Sequence, residues 1–160
     1  STLPHKNLKV LEQVYLNNNI KNLPTNLVIA GVGGKKKILQ NKNIKITYLG
    51  KVSESEKNWL LKNCEFYISS TLYEGLGMTL IEAYLKNKKI ICSDLKVFRE
   101  ILGNYPVYVK QPLKKKNWVK SLNQIIKIHY KSKQSFKKLN KFKPSNISNE
   151  YFSLFQSITE

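Results

Sequence analysis

The sequence predicts an α/β domain built on a doubly wound parallel sheet, a single Rossmann-like unit, and three observations lead there. Short apolar runs of strand length alternate along the chain with segments of helical period, the pattern of successive βαβ units. The strand-like runs are continuously apolar rather than alternating, as they are when helices cover both faces of a parallel sheet. The 160 residues accommodate one such domain with a real core, and not two ordinary ones.

Taken in order, Leu8, Leu11, Val14 and Tyr15 recur at helical spacing, so residues 7–17 read as an amphipathic helix. "NLVIAG" is a short buried strand ending at Gly31, and "VGGKKK" reads as a glycine turn. "IKITYLG" is the second strand, closed by Gly50. In "SESEKNWLLKN", Ser53 is an N-cap with Glu56 three residues on, a capping box ahead of an apolar stripe. "EFYISS" is the third strand, a helix spans about Met78 to Lys86, and "KKIICS" is the fourth strand. "VFREIL" is a short helix ended by Gly103, and "YPVYVK" is a last strand whose Pro106 marks an edge or irregular position. "NWVKSLNQIIKIHY" is an amphipathic helix with Trp118, Leu122, Ile125 and Ile126 on one side. A lysine-rich segment, the break "KPSN" and an apolar helix from about Ser148 to Ile158 follow. Residues 1–145 form the Rossmann-like domain in this reading. Residues 146–160 form a C-terminal helix packing on it or toward a second domain.

The 41% hydrophobic content is that of a folded domain, and no apolar run approaches the roughly 20 residues of a membrane span. A chain opening Ser-Thr-Leu-Pro, with neither initiator methionine nor signal-peptide pattern, reads as a piece of a longer protein. The net charge of +18 invites a nucleic-acid reading. Against it, Arg99 is the sole arginine, whereas base and phosphate recognition favours arginine forks, and the lysines are spread over nearly every surface segment. Specific nucleic-acid binding is therefore not expected, while attraction to anionic lipids or substrates is. Runs such as Lys35–Lys37 and Lys114–Lys116 read as solvated turns. Cys64 and Cys92 lack metal or redox spacing and read as reduced core thiols of a cytosolic protein. His5 and His129 lack metal-ligand spacing, so no metal is expected. Trp59, Trp118, Tyr151, Phe152 and Phe155 read as packing against the sheet or an absent domain.

In this acid-poor chain, Glu74 and Glu82 stand with seven residues between them in "YEGLGMTLIEA". Ligands of open parallel sheets sit beyond the carboxyl ends of the strands, which is where Tyr73 to Thr79 falls. Gly75 and Gly77 allow close backbone approach, and the N–H groups of Gly77, Met78 and Thr79 open the helix as an anion site. A carboxylate repels a phosphate, so Glu82, about one turn in, suits sugar hydroxyls, and Glu74 can do the same for another ring. Spacing alone leaves a plainer alternative open: a common glycine turn, a glutamate favouring the helix dipole, and a solvated Glu74.

"LYEGLGMTLIEAYLKNKKIICSD" resembles the E-x7-E segment of the family 4 glycosyltransferases, with Glu74, Gly75, Gly77, Glu82, Ala83, Ser93 and Asp94 in register and Thr71 in place of the leading serine. "PHKNLKVLEQVY", "LVIAGVGG", "ITYLGKVSESE" and "VFREILGNYPVYVKQP" resemble the flanking segments, so the likeness covers nearly the whole chain. The resemblance implies the C-terminal, donor-binding domain of a GT-B retaining glycosyltransferase acting on a GDP- or UDP-sugar without a metal. It implies Glu82 on the ribose, Glu74 near the donor sugar, and the Gly77–Thr79 backbone on the diphosphate. Lys6 would neutralise the leaving group, which fits the charge that grows on a departing diphosphate. Gly33 and Gly34 would allow close approach of the donor, and Lys51 and Val52 would contact the base. The partners implied are the nucleotide-sugar donor, an N-terminal acceptor domain and an anionic membrane surface at the cytoplasmic face. The product implied is a mannosyl or other hexosyl linkage in cell-surface polysaccharide or lipid-linked glycan.

Two departures stand out. Ser1 and Thr2 occupy the place where many members have an arginine, and "NKK" at Asn87–Lys89 replaces a Gly-Val-Pro turn. Two other readings stay open at this point: a non-catalytic nucleotide or sugar-phosphate binding module paired with another subunit, and a basic nucleic-acid-associated domain.

Overall fold

A computed structural model describes residues 3–17, 20–31 and 36–128. The expected helix near the C-terminus, with Tyr151, Phe152 and Phe155, lies outside the described residues, as does His129. The chain opens with a 3-10 turn, Pro4–Lys6, and helix α1, Leu8–Asn17. Strands β1 (Asn26–Ala30), β2 (Lys37–Asn41) and β3 (Ile44–Gly50) follow, then α2 (Glu54–Asn63) and β4 (Phe66–Ser69). The second half runs α3 (Met78–Leu85), β5 (Lys89–Ser93), α4 (Lys96–Leu102), β6 (Val107–Val109) and α5 (Lys115–Lys127).

The α/β architecture with parallel strands and helices on both sides is present, and its details sharpen the expectation. The ladders form two groups, β1-β3-β2 and β4-β5-β6, in which β1–β3, β4–β5 and β5–β6 are parallel. Strand β2 was not expected: it pairs antiparallel with β3, from Lys37 opposite Tyr48 to Asn41 opposite Ile44. Its "KILQN" sequence is largely exposed, so it carries little of the apolar signal by which strands are recognised. Lys37 is therefore no solvated turn. Its ammonium lies 3.3 Å from Glu12 and 4.3 Å from the centre of the Tyr48 ring.

A single core binds the two ladder groups. Val10, Leu11, Val14 and Tyr15 of α1 and Trp118, Leu122 and Ile125 of α5 pack with Ile29, Ile46, Phe66, Ile91 and Val109 from five strands. On the other side, Leu61 of α2, Leu80, Ala83 and Tyr84 of α3, and Phe98, Ile101 and Leu102 of α4 enclose Ile90 and Cys92. Both faces are covered at β5, whose last four residues are all buried, but β1 alternates exposed and buried, and its Val28 is 44% exposed. The expectation of continuous burial thus holds for β5 and not for its neighbours, since β4 is buried only at Phe66 and β6 is interrupted at Tyr108.

Local chemistry accounts for the element ends. Ser53 Oγ accepts from the Glu56 N–H while the Glu56 carboxylate accepts from the Ser53 N–H, completing the capping box. Helix α3 ends with Asn87 in the left-handed region at φ 54°, its N–H on the Tyr84 carbonyl and that of Lys88 on Ala83. Asparagine tolerates that conformation, so "NKK" replaces the glycine turn of the family pattern without penalty to the stop. Pro106 precedes β6, an edge strand, as expected. Trp118 is fully buried and its indole N–H donates to the Pro112 carbonyl at 2.7 Å, whereas Trp59 is 64% exposed and does not pack on the sheet. Both thiols are unpaired, and burial raises their pKa, keeping them protonated.

Candidate functional site

At the carboxyl end of β4 the chain does not enter α3 directly. The connecting segment is held by the start of the chain: the Leu72 N–H donates to the His5 carbonyl at 2.7 Å, and Ser70 Oγ donates to the Lys6 carbonyl at 2.6 Å. Thr71 is buried, and its hydroxyl lies 2.8 Å from the Tyr73 carbonyl and 3.4 Å from that of His5. The His5 and Tyr73 rings stack with centroids 4.5 Å apart. Thr71, which takes the place of the leading serine of the family pattern, thus ties the segment to the His5 carbonyl and to its own backbone at Tyr73.

This clasp sets Lys6 against Glu74. Lys6 Nζ donates to Glu74 Oε2 at 2.6 Å, and both side chains keep about a quarter of their surface open, at 25% and 27%. Two residues separated by 68 positions, singled out on different grounds, meet in one ion pair.

Gly77 is the N-cap of α3 at φ 80° and ψ 53°. A Cβ there would stand 2.7 Å from Phe98 Cε1, so both dihedral and space demand glycine. Nothing lies within 4 Å of the corresponding point on Gly75, which faces open space. The N–H groups of Leu80 and Ile81 both reach the Gly77 carbonyl, at 2.9 and 3.1 Å. The amides of Gly77, Met78 and Thr79 therefore stand ahead of the helical ladder, at its positive end. Met78 is 60% exposed, and Leu76 and Tyr73 are exposed beside it.

Glu82 lies one turn further on and points to α2. Its Oε1 accepts from Lys57 Nζ at 2.9 Å, and Lys57 also reaches Glu54 Oε2 at 2.7 Å. These bonds, to Glu54 first and then Glu82, raise the pKa of Lys57 and keep its ammonium charged. Glu82 Oε2 is buried and has no hydrogen-bond partner among the described residues. Burial raises the phenol pKa of Tyr67 on β4, and the charges of Glu74 and Glu82 add to the effect.

Val52 sits half-buried beside exposed Lys51 in the β3–α2 connection, four residues ahead of Glu56 and on the same segment as Lys57. Gly33 and Gly34 lie outside the described residues. Ser93 and Asp94 end β5 without reaching the Lys6–Glu74 pair. Asp94 accepts a two-pronged bond from Arg99, which lowers its pKa, and Arg99 also lies over the Tyr108 ring at 4.2 Å. Among the described residues, no three His, Cys, Asp or Glu side chains converge on one point.

Lys57 is the site residue that sequence reasoning missed. Its signal was the Glu54–Lys57 spacing of three within a helix whose start was already legible, but nothing in that spacing pointed to Glu82.

The family profile "Glycosyl transferases group 1" matches residues 1–142. Over 81 residues the chain is 35% identical to the O-antigen chain mannosyltransferase RfbU of Salmonella typhimurium strain LT2, a stretch covering 51% of this chain and 23% of that protein. The chain thus spans well under half the length of the curated relative it matches.

Proposed function

Because the chain belongs to the group 1 glycosyl transferases, we propose that it is the donor-binding part of a retaining, GT-B, family 4 enzyme that takes its sugar from a nucleotide-sugar. One observation carries this reading: Lys6, across 68 residues of sequence, is 2.6 Å from Glu74, which stands three residues ahead of the N-cap of α3 at Gly77. An ammonium has three donors, and one is given to Glu74, so two remain for the oxygens of a diphosphate seated on the Gly77, Met78 and Thr79 amides. As the bond from the anomeric carbon to the diphosphate breaks, its electron pair moves onto phosphate oxygen. In this reading Lys6 and those amides stabilise the charge that grows there. Glu74, held at the same point, accepts from donor-sugar hydroxyls, and Glu82 accepts from the ribose.

In the retaining course, the acceptor hydroxyl approaches from the face the diphosphate leaves. The acceptor is bound by an N-terminal domain, so the 160 residues alone bind nucleotide but transfer sugar poorly. No metal is assigned a part. The name of the relative favours mannosyl transfer into a cell-surface polysaccharide. The lysine-rich surface favours work at the anionic cytoplasmic face of a membrane, and no helix among the described residues is long and apolar enough to cross one.

Calorimetric titration with UDP, GDP and ADP tests the reading. One of them binds, Glu82→Ala abolishes that binding, and Lys6→Ala weakens it by about tenfold or more. Failure to bind any of the three, with salt-sensitive retention on DNA instead, defeats it.

A further inference from the structure

Both carboxylates of the site are held by a lysine from another element, but only the Lys6–Glu74 pair belongs to the chemistry proposed above. The second lysine, Lys57, is built into its place. The capping box at Ser53 and Glu56 sets the first turn of α2, and the Lys57 N–H closes on the Ser53 carbonyl at 2.9 Å. That turn puts Glu54 and Lys57 on one face, and Lys57 then spans 2.7 Å to Glu54 Oε2 and 2.9 Å to Glu82 Oε1. Glu54 is largely exposed, with 82% of its side-chain surface open, while Lys57 and Glu82 are near 25%, at 23% and 26%. The ammonium is thus tethered from the solvent side and delivered to the inner carboxylate. A carboxylate bonded through one oxygen cannot spin freely about its last torsion, and Glu82 Oε2 is left buried with unused acceptor capacity.

We propose that Lys57 is a positioning residue for nucleoside recognition: by binding Glu82 Oε1 it fixes the orientation of the carboxylate that the ribose hydroxyls meet. It also ties Glu82 to the segment carrying Lys51 and Val52, which lies just ahead of α2. Ribose and base are then read by two elements that a single ammonium holds in register. The inference rests on the nucleotide-binding role proposed above for Glu82.

The experiment is a set of calorimetric titrations of the 160-residue chain. It uses the nucleoside diphosphate that binds and its 2′-deoxy and 3′-deoxy forms, with thermal melting to establish that each variant is folded. The unaltered chain prefers the ribose form over at least one deoxy form by about tenfold. Lys57→Met and Lys57→Gln bring that ratio close to one by weakening the ribose form selectively, and Lys57→Arg restores most of it. A general loosening of the fold would weaken ribose and deoxyribose forms alike and keep the ratio. Either neutral variant, folded and with full discrimination, overturns the inference, as does Lys57→Arg behaving like Lys57→Met. If Glu82→Gln erases the ratio while the Lys57 variants keep it, the role of Glu82 stands and that of Lys57 falls. If the unaltered chain binds no nucleotide, or shows no preference for ribose, the reading of Glu82 fails and takes the inference with it.

Discussion

Replacing Gly77 by alanine tests two constraints at once. The residue sits at φ 80° and ψ 53°, where a Cβ crowds the following carbonyl at a cost of about 1–2 kcal/mol. The added methyl would also meet Phe98 Cε1 at 2.7 Å. That ring is 1% exposed and packed among Leu80, Ala83 and Ile101, so it cannot swing aside without opening a void elsewhere. Overpacking of this kind costs about 1–3 kcal/mol, and the two terms together give about 2–5 kcal/mol. For a domain of this size that lowers the melting temperature by roughly 4–20 °C, and lowers the urea midpoint at unchanged slope. Calorimetry and urea titration followed by circular dichroism read both quantities. Gly75→Ala is the matched control, since its Cβ meets open space, and its melting temperature stays within about 2 °C of the parent. Phe98→Leu combined with Gly77→Ala recovers part of the loss but never the dihedral share, giving a measurable coupling between the positions. Gly77→Ala melting together with Gly75→Ala would refute the reasoning at its root.

Three further outcomes are expected. Trp118→Ala empties the largest side chain of the core and severs its bond to Pro112, costing about 3–5 kcal/mol in urea unfolding. Asp94 has its pKa lowered in the folded state by Arg99, so it contributes stability above its unfolded value near 4 and loses that contribution as pH falls through the folded value. Asp94→Asn accordingly flattens the fall in urea midpoint below about pH 4, and an unchanged slope would remove the pair from the acid response. Helix α5 starts with lysines and has no acid in its first turn, against the helix dipole. Lys115→Glu raises stability by about 0.3–1 kcal/mol at low salt, an effect that fades in high salt.

Most of the fold was legible because each helix and parallel strand carries a repeating apolar signal. Val10, Val14 and Tyr15, or Ile90 and Ile91, declare a buried face by their spacing. The Ser53–Glu56 box and the end of α4 at Gly103 were readable for another reason, since caps are local contacts three or four residues long. Strand β2 escaped because its residues face water and its partner is β3, so nothing in "KILQN" states the pairing. The site divides the same way. Glu74 and Glu82 stood out against an acid-poor background, and Lys6 came from likeness to a family. That Lys6 touches Glu74 and Lys57 touches Glu82 are facts about pairs 68 and 25 residues apart, set by which loops the sheet gathers at one end. A reader of local sequence has no access to such distances.

The clasp between the Pro4–Lys6 turn and the segment after β4 has a consequence for how this end of the molecule comes and goes. Its bonds, Ser70 to Lys6, Thr71 to His5 and Lys6 to Glu74, close loops of 64, 66 and 68 residues. Loops of that length are joined late, after the local helices and β4–β5 neighbours have already paid their ordering entropy. In the folded chain the Pro4–Lys6 turn has none of its own residues buried, so the clasp opens more readily than the core beneath it. The Leu72 amide, bonded to His5, therefore exchanges its hydrogen through opening of the Pro4–Lys6 turn. The amides of β5 wait for opening of the whole domain. A ligand gripping Lys6 would slow Leu72 first, turning one backbone hydrogen into a reporter of occupancy.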